Sequence, residues 1–286
     1  MPGTLYLVAT PIGNLEDITL RALRVLGEVD IIACEDTRHT RKLLSHYKIS
    51  KPLVSYHEHN ERARSGELIE KLLAGLSVAL VSDAGMPLIS DPGYSIVSEA
   101  AKAGIPIVPI PGASAVITAL AASGLPTSEF LFAGFLPPRS AQRKRRLHDF
   151  ATSPSSLVLY EAPHRIKDCV DDAREILGDR QAALARELTK LHEEIIRGRL
   201  SEIAARISER EPKGEYVLII GPKSPSEPTE VTAAQDNTII EQVRALMAAE
   251  GLDQKTALKR VAKLRGLTRR EAYRQLINQT DNPETP

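Results

Sequence analysis

The chain has 286 residues with 37 Lys and Arg against 37 Asp and Glu, is 42% hydrophobic and 26% charged, and is long enough for two domains. No apolar run approaches the ~20 residues needed to cross a bilayer. The opening MPGTLYLVATPIG lacks the basic region and long apolar core of a secretion signal, so the expected compartment is the cytoplasm.

Short apolar runs alternate with helical patterns as far as about residue 221, which predicts an α/β fold. LYLVAT, DIIACE, PLVSY, VALVSD and IPIVPI read as buried strands in the first half. Thr37 is placed to cap a helix running through Arg41, Leu43 and Leu44, and Asp91 to cap one starting near Gly93. A break falls at Gly124-Leu125-Pro126-Thr127. Beyond it, FLFAGFL, SLVLYEA, AALAREL, EEIIRG and EYVLIIG are more closely spaced and hairpin-like, so the second sheet is expected to be mixed. The expected organisation is a first α/β domain over 1–124, a second over 125–222, a Pro- and Ser-rich linker over 223–236 and a helical tail over 237–280. Short tail helices ending in a basic one are compatible with a helix-turn-helix unit or with a small packing appendage.

Charge is balanced overall but not locally. Arg139, Arg143, Lys144, Arg145 and Arg146 crowd one segment, and Lys255, Lys259, Arg260, Lys263, Arg265, Arg269, Arg270 and Arg274 crowd the tail. Such patches suit a polyanion even at zero net charge. Neither a GxGxxG after the first strand nor a GxxxxGK[ST] occurs, and there is no GxSxG elbow. Cys34 and Cys169 form no metal spacing or disulfide framework, and the His57-Glu58-His59 trio is too sparse for a metal site, so no metal is expected.

Four loops carry the chemistry. Thr10 to Leu15, Glu35 to Thr40, Ser82 to Gly93 and Pro111 to Ala115 each leave a strand and enter a helix, which gathers them at one edge of a parallel sheet. Ligands of open α/β sheets bind at that edge. Small and kinked residues there let a ligand approach the main chain.

TPIGNLEDIT, EDTRHT, SDAGMPLISDPG, PGASA, GFLP, YEAPHR and KGEYVLII, in this order, resemble a bacterial family of ribosomal RNA small subunit methyltransferases within the tetrapyrrole methylase-type superfamily. The resemblance runs over residues 4–221. It implies two α/β/α domains, class III methyltransferase in type, with S-adenosylmethionine in the cleft between them. The implied reaction is methylation of a cytidine 2′-hydroxyl in 16S ribosomal RNA near the decoding centre, by a homodimer.

Carried onto this chain, the resemblance assigns the cofactor to Asp83, Gly85 and Met86 and to Ser114 and Ala115, with Pro11 and Ile12 closing one side. From the second domain, Leu136 and Leu188 are expected to give backbone contacts to the adenine, and Tyr160 or Tyr216 an aromatic contact. Candidate groups for removing the hydroxyl proton or stabilising the alkoxide are Glu161, His164, Glu187 and Lys190. Arg38 and the run Arg143, Lys144, Arg145 and Arg146 are expected to hold RNA phosphates, and Arg165 and Arg186 could do so too. A small-molecule methylase would need the same cofactor loops but not the basic segments. A nucleic-acid-binding regulator with a ligand-sensing cleft would need no turnover.

Overall fold

The structure, a computed structural model, describes residues 1–209, 211–223, 243–244, 246–247, 253–264 and 272–274. The first sheet holds β1 (Leu5–Val8), β2 (Ile31–Cys34), β3 (Leu53–Ser55), β4 (Val78–Val81) and β5 (Ile107–Ile110), all parallel, in the order β3-β2-β4-β1-β5. The central strands are continuous aliphatic runs because both faces are covered; every residue of β2 and β4 is buried. Helices α1 (Leu20–Glu28) and α2 (Thr37–His46) cover one face, where Val25, Leu26 and Leu44 meet Val8, Ile32 and Val81. Helices α3 (Glu61–Leu73) and α4 (Tyr94–Lys102) cover the other, where Leu68, Leu72 and Ile96 meet Leu5, Leu7 and Leu80.

The second sheet has β6 (Phe130–Phe135), β7 (Ser156–Glu161), β8 (Gln181–Arg186), β9 (Glu194–Arg199) and β10 (Tyr216–Ile220) in the order β6-β7-β10-β8-β9. It is mixed as expected: only β6 and β7 run parallel. One face is packed by α6 (Ser140–His148), α7 (Ile166–Leu177) and α8 (Leu200–Ser208). The opposite face receives α5 (Ala115–Ala122), whose Val116, Ala119 and Leu120 bury against Val158, Ala183, Ala185, Val217 and Ile219. That shared core explains why residues 1–223 form one compact unit although two sheets divide near the expected break at residue 124.

Residues 224–286 form a second unit. Within it, α9 (Gln254–Leu264) buries Ala257, Leu258, Val261 and Ala262 with Val243 and Ala272. The expected linker beyond residue 223 and most of the other two tail blocks lie outside the described residues.

The basic run on α6 meets a different fate from the one its sequence suggested. Arg143 is only 2% exposed, and its guanidinium grips Asp172 of α7 through Nη2 at 2.6 Å and Nε at 2.7 Å. Ser140 Oγ donates to the other Asp172 oxygen at 3.0 Å. Lys144 lies 2.6 Å from Glu175, and Arg146 lies 2.9 Å from Asp149 with its guanidinium over the Phe150 ring. Arg145 is exposed. Every fourth residue of a helix returns to the same face, so a run of cations puts at least one into the interface, where it needs a carboxylate. Removing one partner strands a buried charge. Asp172→Ala is therefore expected to lower the unfolding free energy by about 3–5 kcal/mol in urea titrations, whereas Arg145→Ala should leave it within about 0.5 kcal/mol.

Candidate functional site

β1 and β4 are neighbours, yet the helices that follow them lie on opposite faces of the sheet. The strand ends therefore open a crevice between them, the arrangement in which α/β sheets take ligands. A pair of backbone hydrogen bonds spans it: Thr10 N–H donates to Gly85 O at 2.9 Å and Gly85 N–H to Thr10 O at 3.1 Å. Buried Thr10 also donates its hydroxyl to Ser82 O at 3.0 Å, and Ser82 Oγ donates to Gly85 O at 3.1 Å. Gly85 sits at φ +85°, and a Cβ there would meet Ile12 Cγ2 at 3.4 Å and Ala113 O at 3.6 Å. Glycine is required here by backbone conformation more than by space. The Asp83 carboxylate accepts the Asp36 N–H at 3.2 Å, which ties in the loop after β2.

The rest of the SDAGMPLISDPG loop is held in uncommon backbone. Leu88 and Ser90 have φ of +74° and +66°, and Gly93 has φ of +140°. Across the cleft, Glu187 and Thr189 repeat the pattern at +49° and +65°. Non-glycine residues in this region cost of order 1–3 kcal/mol each and persist where surroundings hold them. One such support is Glu61, which accepts from Gly93 N and Ser95 N at 3.0 Å each while Tyr56 OH donates to it at 3.1 Å. Burial opposes its charge, but these donors outweigh that and keep its carboxyl below the ordinary value. Glu61, not Asp91, thus caps α4, just as Asp36 rather than Thr37 caps α2 by accepting Arg38 N–H at 2.7 Å.

A cavity of about 400 Å³ lies between the loops of the first sheet and the cleft-facing strands of the second. That volume is within the range of small-molecule sites. Ile12, Met86, Ile89, Leu188 and Val217 supply apolar wall, Phe135 and Tyr160 supply rings, and Tyr216 borders the cavity from a strand end whose side chain belongs to the core on the other face of the sheet. Phe135 lies 5.6 Å from Tyr160, centroid to centroid. Five carboxylates, Asp83, Asp91, Glu161, Glu187 and Glu215, line the same space against one ammonium, Lys190.

The polar groups are strongly conditioned. Burial and the nearby charges of Glu35 and Asp83 push the Asp91 carboxyl up to about 6, against a contact with Ser82 that pulls it down. Glu35 is raised by the same burial and by Asp83. Glu161 is 1% exposed; its Oε1 accepts Ala162 N–H at 2.9 Å and lies 3.3 Å from Arg165 Nε, while Oε2 has no hydrogen-bond partner. Burial, reinforced by this carboxylate, pushes the neighbouring Cys169 thiol up to about 12. Lys190 Nζ lies 2.9 Å from Glu187 and 3.6 Å from Glu215. Burial pulls the ammonium down, but the Glu187 hydrogen bond and Glu215 more than offset it. The same bond from Lys190 holds the Glu187 carboxyl below its ordinary value.

Of the residues expected from the sequence, Ile12, Asp83, Gly85, Met86, Ser114, Ala115, Tyr160, Leu188, Tyr216, Glu161, Glu187 and Lys190 all line this cavity. Ser114 stands at the start of α5 with its hydroxyl uncommitted to a cap. Pro11, Leu136 and His164 do not line it. Leu136 is buried in the core beneath the second sheet and its carbonyl accepts Arg165 Nη2 at 2.6 Å. His164 is exposed. Arg186 is held by Glu194 at 2.8 Å on the adjacent strand. Asp91, Phe135 and Glu215 were not singled out as site residues, although Asp91 belongs to the loop that was and Glu215 immediately precedes Tyr216.

Asp91 carries a pH signature. Its folded-state value near 6 lies above the ordinary 3.8, so between about pH 4 and 6 the folded chain holds a proton the unfolded chain has lost. The resulting penalty is absent below about pH 4 and complete above about pH 6. Asp91→Asn is expected to raise unfolding free energy by roughly 1–3 kcal/mol at pH 8 and to change it little at pH 4. Denaturant titrations at the two pH values measure the difference.

Residues 4–204 match the family model described as Tetrapyrrole (Corrin/Porphyrin) Methylases. A protein of Halalkalibacterium halodurans named ribosomal RNA small subunit methyltransferase I is 51% identical over 272 residues, 95% of this chain and 93% of that protein. Among solved structures, diphthine synthase superposes with a TM-score of 0.62 at 19% identity, covering 78% of this chain and 91% of that one. Uroporphyrin-III C-methyltransferase from Thermus thermophilus, complexed with S-adenyl homocysteine, gives a TM-score of 0.54 at 22% identity, covering 77% and 97%. By its fold, its matched length and its identity to these relatives, the chain belongs to the tetrapyrrole methylase family, in the branch of ribosomal RNA small subunit methyltransferase I.

Proposed function

We propose that the protein transfers a methyl group from S-adenosylmethionine to the 2′-hydroxyl of a cytidine ribose in 16S ribosomal RNA, near the decoding centre. The observation that carries this reading is the acid-lined cavity at the β1/β4 switch point in a chain so similar to the named methyltransferases. The cofactor is a sulfonium cation with an ammonium group, and it supplies an activated methyl when bound. A cavity lined by five acidic residues and one lysine suits that charge, and the uncapped Ser114 hydroxyl is a polar group in want of a ligand. The solved relative complexed with S-adenyl homocysteine supports the same choice.

In this reading Asp83 accepts hydrogen bonds from cofactor donors, Ser114 and the amides opening α5 hold its carboxylate, and Gly85 and Ala115 allow close approach. Ile12, Met86, Leu188 and Val217 exclude water. Tyr160 walls the second side. The ribose hydroxyl must be held at about 3–3.5 Å from the methyl carbon. Lys190, kept as an ammonium by Glu187 and Glu215, stabilises the alkoxide as it forms, and ionised Glu187 is the acceptor for its proton. The site works in the cytoplasm, where its ribosomal substrate is.

A second copy of the chain is the proposed partner for exposed Phe130 and Leu131 on β6, which is an edge strand of its sheet. Sedimentation should show a dimer that Phe130→Glu/Leu131→Glu converts to monomer; a wild-type monomer would remove this part of the proposal.

The central test is transfer of labelled methyl to small subunits from cells lacking the enzyme, followed by nucleoside mapping. Label on a cytidine ribose is expected; label on a base, or on a tetrapyrrole instead of RNA, overturns the reading. Asp83→Asn retains an acceptor for Asp36 N–H but loses charge, and should weaken cofactor binding roughly 10-fold or more by calorimetry. Lys190→Met should lower kcat by about 10²-fold or more with little change in cofactor affinity.

A further inference from the structure

We propose that the outward face of α2 is the docking surface for the phosphodiester backbone of the RNA substrate. The inference rests on the ribosomal RNA reading above and assigns the polyanion contact to a surface other than the α6 run. Between Asp36 and Glu58 the chain has no acidic residue, but it carries Arg38, Arg41, Lys42, Lys48 and Lys51 with three histidines. In a chain of zero net charge, that stretch supplies no carboxylate of its own to offset its cations.

The helix aligns these charges. Arg38, Arg41, Lys42, Ser45 and His46 recur at three- and four-residue spacing and line one shallow groove, while Thr40, Leu43 and Leu44 face the core. Arg38 shares Asp36 at 2.8 Å but stays 83% exposed, and a pair so open contributes little to stability. Arg41 and Lys42 are exposed and form no ion pair with any described carboxylate. Like charges three and four residues apart weaken a helix slightly. The fold does nothing to relieve this here, whereas on α6 it places Asp172, Glu175 and Asp149 against Arg143, Lys144 and Arg146.

Position completes the argument. Asp36, which caps α2, donates its N–H to Asp83 in the cavity wall, so the cationic strip begins at the rim of the proposed methyl-transfer site. Ten helical residues extend about 15 Å, enough to follow several phosphates of one strand. Such contacts set register without reading bases. The exposed residues of α2 are all polar, which leaves nothing to insert into a lipid surface.

The test is binding of the full chain to small subunits lacking the modification, across a salt series, with Arg41→Ala/Lys42→Ala beside wild type. Two lost phosphate contacts should reduce the slope of log affinity against log salt by about 1.4–1.8. Affinity should fall roughly 10-fold or more at low salt, with cofactor affinity and Tm unchanged. Arg41→Lys/Lys42→Arg should restore the slope. An unchanged slope in the alanine variant, while wild type binds and methylates subunits, overturns the surface alone. A slope reduced instead by Arg145→Ala moves the contact to α6 and equally overturns it. Binding to phosphatidylserine vesicles that is lost in the alanine variant, with RNA affinity intact, would make α2 a membrane surface and sink the proposal. If wild type neither binds nor methylates subunits, the ribosomal reading and this surface fall together.

Discussion

The two hydrogen bonds between Thr10 and Gly85 hold together strand exits whose following helices depart to opposite faces of the first sheet. Without that tie the crevice between β1 and β4 would be only a gap between two loops. With it, Ile12, Asp83 and Met86 are presented on one rigid rim. Ser82 reinforces the rim from beneath, and the Asp36–Asp83 contact extends it to the neighbouring strand. The end of the kinked loop after Leu88 and Ser90 is tied down by the carboxylate of Glu61 at Gly93 and Ser95, and Glu187 is tied by its N–H to Glu215 O.

A sulfonium donor and a nucleic-acid acceptor place opposite electrostatic demands on one small region. The chain segregates its charge: acidic residues line the cavity and cations face outward along α2, the division that the two proposed ligands would need. Asp36 stands on the border, with its amide turned to Asp83 and its carboxylate turned to Arg38. A net charge of zero hides this division, because the sum over a chain says nothing about which side of a loop each charge occupies.

The ten strands among the described residues were legible in the sequence, the central ones as continuous aliphatic runs that report two-sided burial and the edge ones as short apolar runs between turn signals. The loops that line the cavity were legible because each follows such a run. What the sequence could not display were pairings across long separations. Glu61 reaches 32 and 34 residues to cap α4, and Arg143 reaches 29 to meet Asp172. Local pattern favoured the nearer Asp91 as the cap and an exposed basic run on α6. A boundary read from local composition at residue 124 could not reveal that α5 contributes to the core of the other half, which leaves residues 1–223 one unit.

That last feature bears on how the molecule moves. Val116, Ala119 and Leu120 leave water only because the second sheet covers them. Swinging the halves apart as rigid pieces would re-expose them, at about 1.5–3 kcal/mol for each large aliphatic side chain. A clamshell opening is therefore an expensive route for traffic through the cleft. The kinked segment around Leu88 to Gly93, by contrast, contributes no side chain to that seam.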